Sequence, residues 1–351
     1  MFVALRDLRV ARGRFVLITL VVTLVALLVS FLSGLTAGLA HQNISAVQRI
    51  DADAVVFADT GADPSFDTSA LTDQQIDTWR AAAGSVAPIG ISRTRAELAS
   101  GAAPPTQIAL FGTDGNAFGN HTATAQGAVV LSAGAAASLG AAPDDAIAIG
   151  GRTFTVAAVR DDDWYSHTPV VWMTWQDWRS VSPRSGAATV LAVSGIRDQG
   201  AVNAAARTTT TSASGALSAI GSYQAENGSL TLMTLLLFAI SALVIGAFFT
   251  VWTIQRLPDV ATLKALGATS ASLVRDALGQ AAIVLVAGVA VGLGSTVAAA
   301  SLMGDALPFV LSPATTLLPA GALIALGLCG AAFALRFLFT TDPLTALGAA
   351  R

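Results

Sequence analysis

Four long apolar stretches constrain this fold more than any other feature. The first, residues 15–40, contains 26 residues and no charged side chain. A helix of that length extends about 39 Å, more than the roughly 30 Å hydrocarbon core of a bilayer. The others are residues 229–254, 277–303 and 317–339, and the mean hydropathy of +0.66 agrees with them. The sequence therefore predicts four transmembrane helices rather than a soluble domain. The apolar regions of signal peptides have only about 7–15 residues, so cleavage of the first stretch is the weaker interpretation.

Basic residues near the membrane ends predict the orientation. Arginines precede the first helix, basic side chains lie between the second and third, and arginines flank the end of the fourth. These positions belong to the cytoplasmic side by the positive-inside rule. We therefore expect a multi-pass plasma-membrane protein with both termini in the cytoplasm, in contact with membrane lipid. The segment placed outside has 10 arginines against 17 acidic residues, which disfavours nucleic-acid binding.

The predicted fold class is a membrane α-helical protein with an extracytoplasmic α+β domain between helices 1 and 2. Its parts, in order, are a cytoplasmic amphipathic helix (1–14), the first membrane helix (15–40), the outer domain with stalk extensions (41–228), the second membrane helix (229–254), a cytoplasmic coupling segment (255–276), the third membrane helix (277–303), an outer loop (304–316), the fourth membrane helix (317–339) and a cytoplasmic tail (340–351).

The outer domain contains signals for both short strands and short helices. The stretches QIALFG, GAVVLS and PVVWMTW are typical of strands, SAGAAASLG is typical of a helix, and AIAIGGRTFTVAAV of two strands joined at Gly150 and Gly151. The aromatic cluster of this domain, Trp164 to Trp178, is interpreted as core or interface rather than as a ligand platform, and the sequence leaves open whether it is core or surface. Residues 201–227 contain few helix breakers, so we expect a helix that continues into the second membrane helix. A matching extension of the first helix would carry His41, Ser45 and Arg49 on one face.

Small residues recur at helical spacing in two membrane helices. Ser30, Gly34 and Gly38 are four residues apart in the first, and Gly288 and Gly292 are four apart in the third. This spacing allows two helices to approach closely. For the first helix, the seam lies either between subunits or within one; the pattern fits both.

The coupling segment is a short polar region between two membrane helices. Pro258 suits a first helical position, and Gly267 supplies a residue that can end the helix with a positive φ. Between them Val260, Leu263 and Leu266 recur every three residues and form an apolar edge. Such an edge requires a partner.

The chemistry of the chain points to transport or signalling rather than catalysis. Lys264 is the only lysine and does not follow a P-loop glycine, so the chain is not its own ATPase and needs no cofactor of its own. The histidines, His41, His121 and His167, are scattered along the chain, with no metal-ligand spacing. A nucleophile motif of the type GxSxG is absent from the sequence.

The segment LKALGAT, the stretch ASLGAAPDDAIAIGGRTFTVAAV and the closing DPLTAL resemble FtsX-like, MacB-type permeases of ABC transporters. The order of one helix, a large outer domain and three helices is similar too. The resemblance implies a homodimer driven by two copies of a separate ABC ATP-binding subunit, which carries ATP and Mg. That subunit would grip Val260, Leu263, Lys264, Leu266 and Gly267. The compact size is most similar to haem-exporter permeases of Gram-positive bacteria.

That narrower resemblance makes Glu226 a candidate ligand for haem iron, the only metal role predicted here. Tyr223 and Met233 share its helix face, and Arg49 or His41 would meet the haem propionates. The alternative is a carboxylate in the first turn of the second helix, capped by Asn227 or Ser229 and favoured by the helix dipole.

Three functions fit these features. The first is export of haem or a similar amphiphile from the membrane by a lever mechanism. The second is a non-transporting mechanotransmitter that controls an extracellular cell-wall hydrolase. The third is a permease for lipoprotein release or peptide-antibiotic resistance.

Overall fold

The computed structural model describes residues 12–101, 104–114, 117–119, 121–255, 257–304 and 307–335. It contains two compact units: a membrane unit of Met1–Gly38 and Ser229–Arg351, and an outer unit of Leu39–Gly228. Most of the predicted amphipathic helix (1–14) and all of the predicted tail (340–351) lie outside the described residues.

The outer unit contains both helices and strands, whereas the described residues of the membrane unit form helices and their connections. In chain order they are α1 (Arg12–Gln48), β1 (Ala54–Ala58), α2 (Asp73–Ala82), β2 (Ala83–Leu98), β3 (Thr106–Thr113), β4 (Ala128–Leu131), α3 (Ala133–Leu139), β5 (Ala146–Ile149), β6 (Arg152–Val159), β7 (Trp164–Tyr165), β8 (Thr168–Met173), α4 (Trp175–Val181), β9 (Val190–Ile196), α5 (Gln199–Ala206), β10 (Thr208–Ser212), a 3₁₀ turn (Gly215–Ala219), α6 (Gly221–Gln255), α7 (Leu257–Ala265), α8 (Ser270–Met303) and α9 (Pro313–Leu335).

Helices α1, α6, α8 and α9 are long and apolar enough to cross a membrane. Their buried apolar side chains form one shared core, which includes Val22, Phe249, Leu285 and Leu323. Large apolar side chains such as Leu243 remain exposed on the outside, as expected for surfaces that face lipid. The predicted fold class of four membrane helices is confirmed.

Two of the predicted small-residue positions lie at a close helix–helix contact. A Cβ atom at Gly288 would lie 2.7 Å from Cγ1 of Val22, and one at Gly292 would lie 2.8 Å from the carbonyl oxygen of Thr23. Glycine therefore allows α8 to pack directly against the backbone of α1.

The seam predicted on α1 lies within the chain. The site of a Cβ atom at Gly34 is filled by the ring of Phe309, and that at Gly38 by the backbone of Pro308. The amide of Val310 also donates to the carbonyl oxygen of Gly34, at 3.2 Å. Gly34 and Gly38 therefore pack against the connection between α8 and α9 of the same chain. This contact places the seam within one subunit rather than between subunits.

The outer unit is built on a ten-stranded mixed sheet in which β2 has two roles. The main strand order is β10-β1-β9-β2-β3-β8-β4-β6-β5, with β7 paired to β8. The end of β2 also pairs with β5, at Ala96↔Ile149, so the strands β2, β3, β8, β4, β6 and β5 close a ring. The first part of β2 instead pairs with β9 and continues the open part of the sheet.

Alternation along the central strands separates two cores. In β3, Ile108 and Leu110 join one cluster with β4, β5 and β6, while Ala109 and Phe111 join another that includes the end of α1. Successive side chains of a strand point to opposite faces. Because both faces of β3 are covered, this strand is an almost continuous apolar run, as the sequence indicated.

Several predicted elements are confirmed, and two stretches differ. Gly150 and Gly151 form the two-residue turn between β5 and β6, both with positive φ. No strand was expected at β2, whose residues include Pro88 and Gly90. The helix expected over residues 201–227 is wrong up to residue 220, where α5, β10 and a 3₁₀ turn occur, but α6 begins at Gly221 and continues into the second membrane helix as expected. The run of threonines in β10 explains the difference, since β-branched residues favour strands.

The tryptophans of the outer unit are largely core, which decides between the core and surface positions that the sequence left open. Trp172 and Trp178 are buried, and Trp164 and Trp175 are half-buried. Trp178 lies against Gly90 and Gly112, which face each other across β2 and β3. Side chains on these glycines would occupy the space of the indole.

Candidate functional site

At the outer end of α1, three side chains on one face of the helix bind the loop of residues 161–164 in the outer unit. His41 Nε2 lies 2.7 Å from the carbonyl oxygen of Asp162. The hydroxyl of Ser45 accepts from the amide of Trp164 at 2.8 Å. Arg49 Nε donates to Asp163 Oδ1 at 2.5 Å. The predicted shared face of these three residues therefore contacts residues 161–164.

The turn between β7 and β8 is a tight two-residue hairpin with an unusual sequence. Ser166 and His167 have φ values of 49° and 59°, and Tyr165 pairs with Thr168 across the turn. Turns of this kind favour asparagine and glycine, because both central residues take positive φ. Serine and histidine pay a conformational penalty here of order 1 kcal/mol or more each. A strained turn that holds a histidine is a candidate for function.

The backbone and an aromatic anchor hold this hairpin in place. The amides of Ser166 and His167 donate to the carbonyl oxygens of Asn43 and Gln42, at 3.0 and 2.9 Å. Tyr165 is buried between the rings of Phe66 and Phe111. Burial, together with the nearby charge of Asp67, raises the pKa of Tyr165. The tyrosine therefore stays neutral and acts in packing.

The hairpin presents His167 to Glu226 on α6. His167 Nε2 lies 3.0 Å from both carboxylate oxygens of Glu226. The amide of Asn43 also donates to Glu226 Oε2 at 3.2 Å. Asn43 is buried, whereas the side chains of His167 and Glu226 are 33% and 41% exposed. We name Asn43, Ser166, His167, Ser222 and Glu226 the Glu226 cluster.

The donors and acceptors of the Glu226 cluster fix one proton position. Ser222 donates to Asn43 Oδ1 at 2.7 Å, so the Asn43 amide nitrogen faces Glu226 and His167. An ionised carboxylate only accepts hydrogen bonds, so His167 carries its proton on Nε2. Glu226 thus receives two donors and keeps part of its surface open to an incoming ligand.

The alternative interpretation of Glu226 as a first-turn carboxylate is wrong. Helix α6 begins at Gly221, so Glu226 is in its second turn, and its partners come from α1 and from the β7–β8 hairpin. Asn227 and Ser229 are likewise inside the helix and do not cap it.

The other four residues predicted to contact haem differ in how exposed they are and in whether they already have polar partners. Tyr223 is half-buried against the core of the outer unit. Met233 lies on α6 and is 58% exposed. Arg49 contacts Asp161, Asp163 and His121, and His41 contacts Asp162. These four residues stay predictions as haem contacts. Sequence reasoning missed His167, because its partner is 59 residues away and no local pattern connects them.

The coupling segment has the predicted helix and an exposed apolar edge. Leu266 is 79% and Leu263 39% exposed, and Val260 is half-buried. The amide of Ala268 donates to the carbonyl oxygen of Leu263, and that of Gly267 to the carbonyl oxygen of Lys264, both at 3.0 Å.

These two bonds form a Schellman motif, with Gly267 at a φ of 95°. Thr269 then caps α8 by accepting from the amide of Ser272. Two well-defined helix ends therefore hold the exposed edge of α7 in a fixed position relative to α8.

Comparison with known proteins identifies both parts of the chain. Residues 15–220 match the MacB-like periplasmic core domain, and residues 230–343 match the FtsX-like permease C-terminal domain. Full-length relatives from Staphylococcus epidermidis and Staphylococcus haemolyticus, provisionally named hemin transport system permease protein HrtB, are each 25% identical. In both cases the match covers 99% of this chain and 99% of the relative.

Among solved structures, the periplasmic region of MacB from Actinobacillus actinomycetemcomitans aligns with a TM-score of 0.37 and 12% identity, over 50% of this chain and 94% of that one. The extracellular domain of the transporter YknZ from Gram-positive bacteria aligns with a TM-score of 0.30 and 13% identity, over 48% of this chain and 93% of that one. The two family models together match residues 15–220 and 230–343, which is nearly the whole chain. The chain therefore belongs to the FtsX-like, MacB-type family of ABC-transporter permeases.

Proposed function

We propose that this permease exports haem, or an amphiphile like it, from the membrane to the outside. The observation that carries the proposal is the full-length similarity to permeases named for hemin transport. A membrane protein of this family works with an ABC ATPase, and the permease itself is not the enzyme. We further propose that this chain forms a homodimer, that the homodimer binds two copies of the ATPase, and that both termini of the chain lie in the cytoplasm.

Glu226 is the proposed ligand of the haem iron. Its carboxylate is partly exposed and lies on the helix that continues to Gln255. His167 donates from Nε2 to the same carboxylate, so it would hold Glu226 in place rather than bind the iron itself. In the proposed homodimer, two copies of Glu226 would offer oxygen ligands to one haem. Haem is the substrate here, so the cluster holds it only transiently.

The remaining predicted contacts divide between the ring and its propionates. Tyr223 and Met233 are proposed to contact the porphyrin ring. Arg49 and His41 are proposed to meet the propionates, but both already contact acidic residues, so a propionate must compete for them. We therefore rank them below Glu226.

A lever mechanism accounts for how ATP would drive export. ATP-driven closure of the two ATPases would act on Val260, Leu263, Lys264, Leu266 and Gly267, and the movement would pass along the membrane helices to the outer domain. Haem would then leave sideways from the Glu226 cluster rather than through a central pore.

Haem titration of the purified full-length protein tests the Glu226 assignment. We expect Glu226→Ala to weaken haem binding at least tenfold, measured by the Soret absorbance, because the iron loses its oxygen ligand. For the imidazole we choose His167→Asn, since asparagine tolerates the positive φ at this position. Its expected loss is about threefold to tenfold, consistent with about 1 kcal/mol for one hydrogen bond.

The matched control is Glu97→Ala, at the other glutamate of the chain, which is exposed on β2. This variant should bind haem as the wild type does. Unchanged haem affinity and unchanged haem resistance of cells carrying Glu226→Ala would contradict the assignment. Copurification of a cell-wall hydrolase without haem would instead favour the mechanotransmitter.

A further inference from the structure

A second cluster of polar side chains surrounds Arg49 at the outer end of α1. His121, Asp161 and Asp163 each offer a ligand atom, and these atoms lie within 4.8 Å of one another. Arg49 contacts all three: Nε lies 2.5 Å from Asp163 Oδ1, one terminal nitrogen lies 3.2 Å from His121 Nε2, and the other lies 3.6 Å from Asp161 Oδ2. None of these residues belongs to the Glu226 cluster.

Only one of the two carboxylate oxygens of the buried Asp163 has a hydrogen-bond partner among the described residues. Its side chain is 1% exposed, and Oδ1 accepts from Arg49, but Oδ2 has no hydrogen-bond partner among the described residues. A buried carboxylate oxygen without a donor or a cation is costly, usually several kcal/mol for a charged group. Such an atom in a folded protein normally marks the place of a bound water or ion. Asp163 Oδ2 is therefore the atom of the cluster that points to a ligand.

Charge and chemistry favour a cation rather than a water molecule. Two carboxylates and one guanidinium leave the cluster with a net charge of about −1 when His121 is neutral. His121 Nδ1 lies 3.0 Å from Asp161 Oδ2, but no hydrogen bond joins them in this geometry. One nitrogen and two carboxylate oxygens form a ligand set typical of zinc and similar divalent transition metals.

We propose that His121, Asp161 and Asp163 form a divalent transition-metal site that competes with Arg49. The ion is bound by Nδ1 of His121, Oδ2 of Asp161 and the unpartnered Oδ2 of Asp163, with water completing the coordination. Ligands of a tetrahedral zinc lie about 3.4 Å apart, and each of the three residues has a ligand atom within 4.8 Å of those of the other two, so side-chain movements of about 1 Å bring the three residues to bonding distance.

Metal binding must displace part of the Arg49 contacts. Arginine only donates hydrogen bonds, so its contact with His121 requires an unprotonated Nε2 and places the imidazole proton on Nδ1. When a metal takes Nδ1, the neutral imidazole carries its proton on Nε2 and no longer accepts from Arg49. Asp161 Oδ2 is also shared between the ion and the guanidinium. The bond from Arg49 Nε to Asp163 Oδ1 remains, because it uses the other carboxylate oxygen.

Because Arg49 competes with the ion, removing Arg49 should strengthen zinc binding, whereas misfolding of a variant would weaken it. Zinc binding to the untagged full-length protein is measured by competition with a chromophoric chelator, without haem present. We expect one Zn²⁺ per chain in the wild type and at least tenfold weaker binding in His121→Ala. Arg49→Met removes the competing cation, so it should bind zinc at least threefold more tightly than the wild type.

One control separates this site from the Glu226 cluster. His167→Asn alters the Glu226 cluster and leaves all three ligands in place, so it should bind zinc as the wild type does. Cobalt bound at the same stoichiometry should show the visible absorption of a nitrogen- and oxygen-ligated ion. The proposal is overturned if the wild type binds no stoichiometric zinc, if His121→Ala binds it unchanged, or if Arg49→Met weakens it.

Discussion

Leu266→Asp should separate this permease from its ATPase while the protein itself stays folded. Leu266 is 79% exposed at the end of α7, so a charge there costs the isolated chain little. Burying a leucine at an interface contributes about 1.5–3 kcal/mol, and a buried unpaired carboxylate adds a further penalty. We expect ATPase binding to weaken at least 100-fold, and transport-coupled ATP hydrolysis in proteoliposomes to fall to the level of the ATPase alone. Leu263→Asp should act in the same direction.

The control for this prediction keeps an apolar side chain of similar volume at the same position. Leu266→Met should retain ATPase binding within about tenfold, since swaps between apolar residues of similar volume usually cost less than about 1.5 kcal/mol. If Leu266→Asp still copurifies with the ATPase and transports, α7 is not the coupling element.

Gly112→Val should produce the largest loss of stability in the outer domain. Gly112 and Gly90 face each other on β3 and β2, and the space above both is filled by Trp178. A valine side chain at Gly112 meets the Cβ atom of Trp178, and its own Cβ lies 3.1 Å from the carbonyl oxygen of Thr174. The indole must leave its buried position, where it donates to Ser92 at 3.0 Å.

We expect this substitution to cost at least about 3 kcal/mol, from overpacking together with the lost hydrogen bond. For a domain of this size that corresponds to a fall of about 6–12 °C in the apparent Tm, followed by tryptophan fluorescence. Gly84→Ala is the control, because a Cβ atom on Gly84 would be 3.4 Å from its nearest neighbour, the carbonyl oxygen of Ser194. Equal Tm values for the two variants would contradict the packing argument.

The sequence predicted the membrane helices and the coupling segment well because the signals there are local. An uncharged run of helical length, a proline near a helix start and a glycine at its end each act within a few residues. Gly267 takes the positive φ that its position between α7 and α8 indicated. The strands β3 and β8 were likewise readable, since each is a short, almost continuous apolar run, as expected for a strand that is buried on both faces.

What the sequence did not predict depends on distant residues. Strand β2 contains Gly84, Pro88 and Gly90, which oppose a strand prediction; the pairing with β3, β5 and β9 overrides them. The two clusters around Glu226 and Asp163 join residues more than 50 positions apart. Nothing in the local sequence indicates that Asp163, one of three consecutive aspartates, is buried. The threonines of β10 were the one local signal that a better interpretation could have used.

The position of β1 has a consequence for how the protein is made. This strand, AVVFA, lies between β9 and β10, and Ala54 pairs with Ser212. Both neighbours are synthesised last in the outer domain. At about 5–20 residues per second, the intervening chain of roughly 160 residues takes about 10–30 s to emerge. For that time an apolar strand has both edges unpaired, in the state most open to aggregation. Slow translocation or heat stress should therefore harm this permease most during its synthesis, before β9 and β10 have arrived to cover the strand.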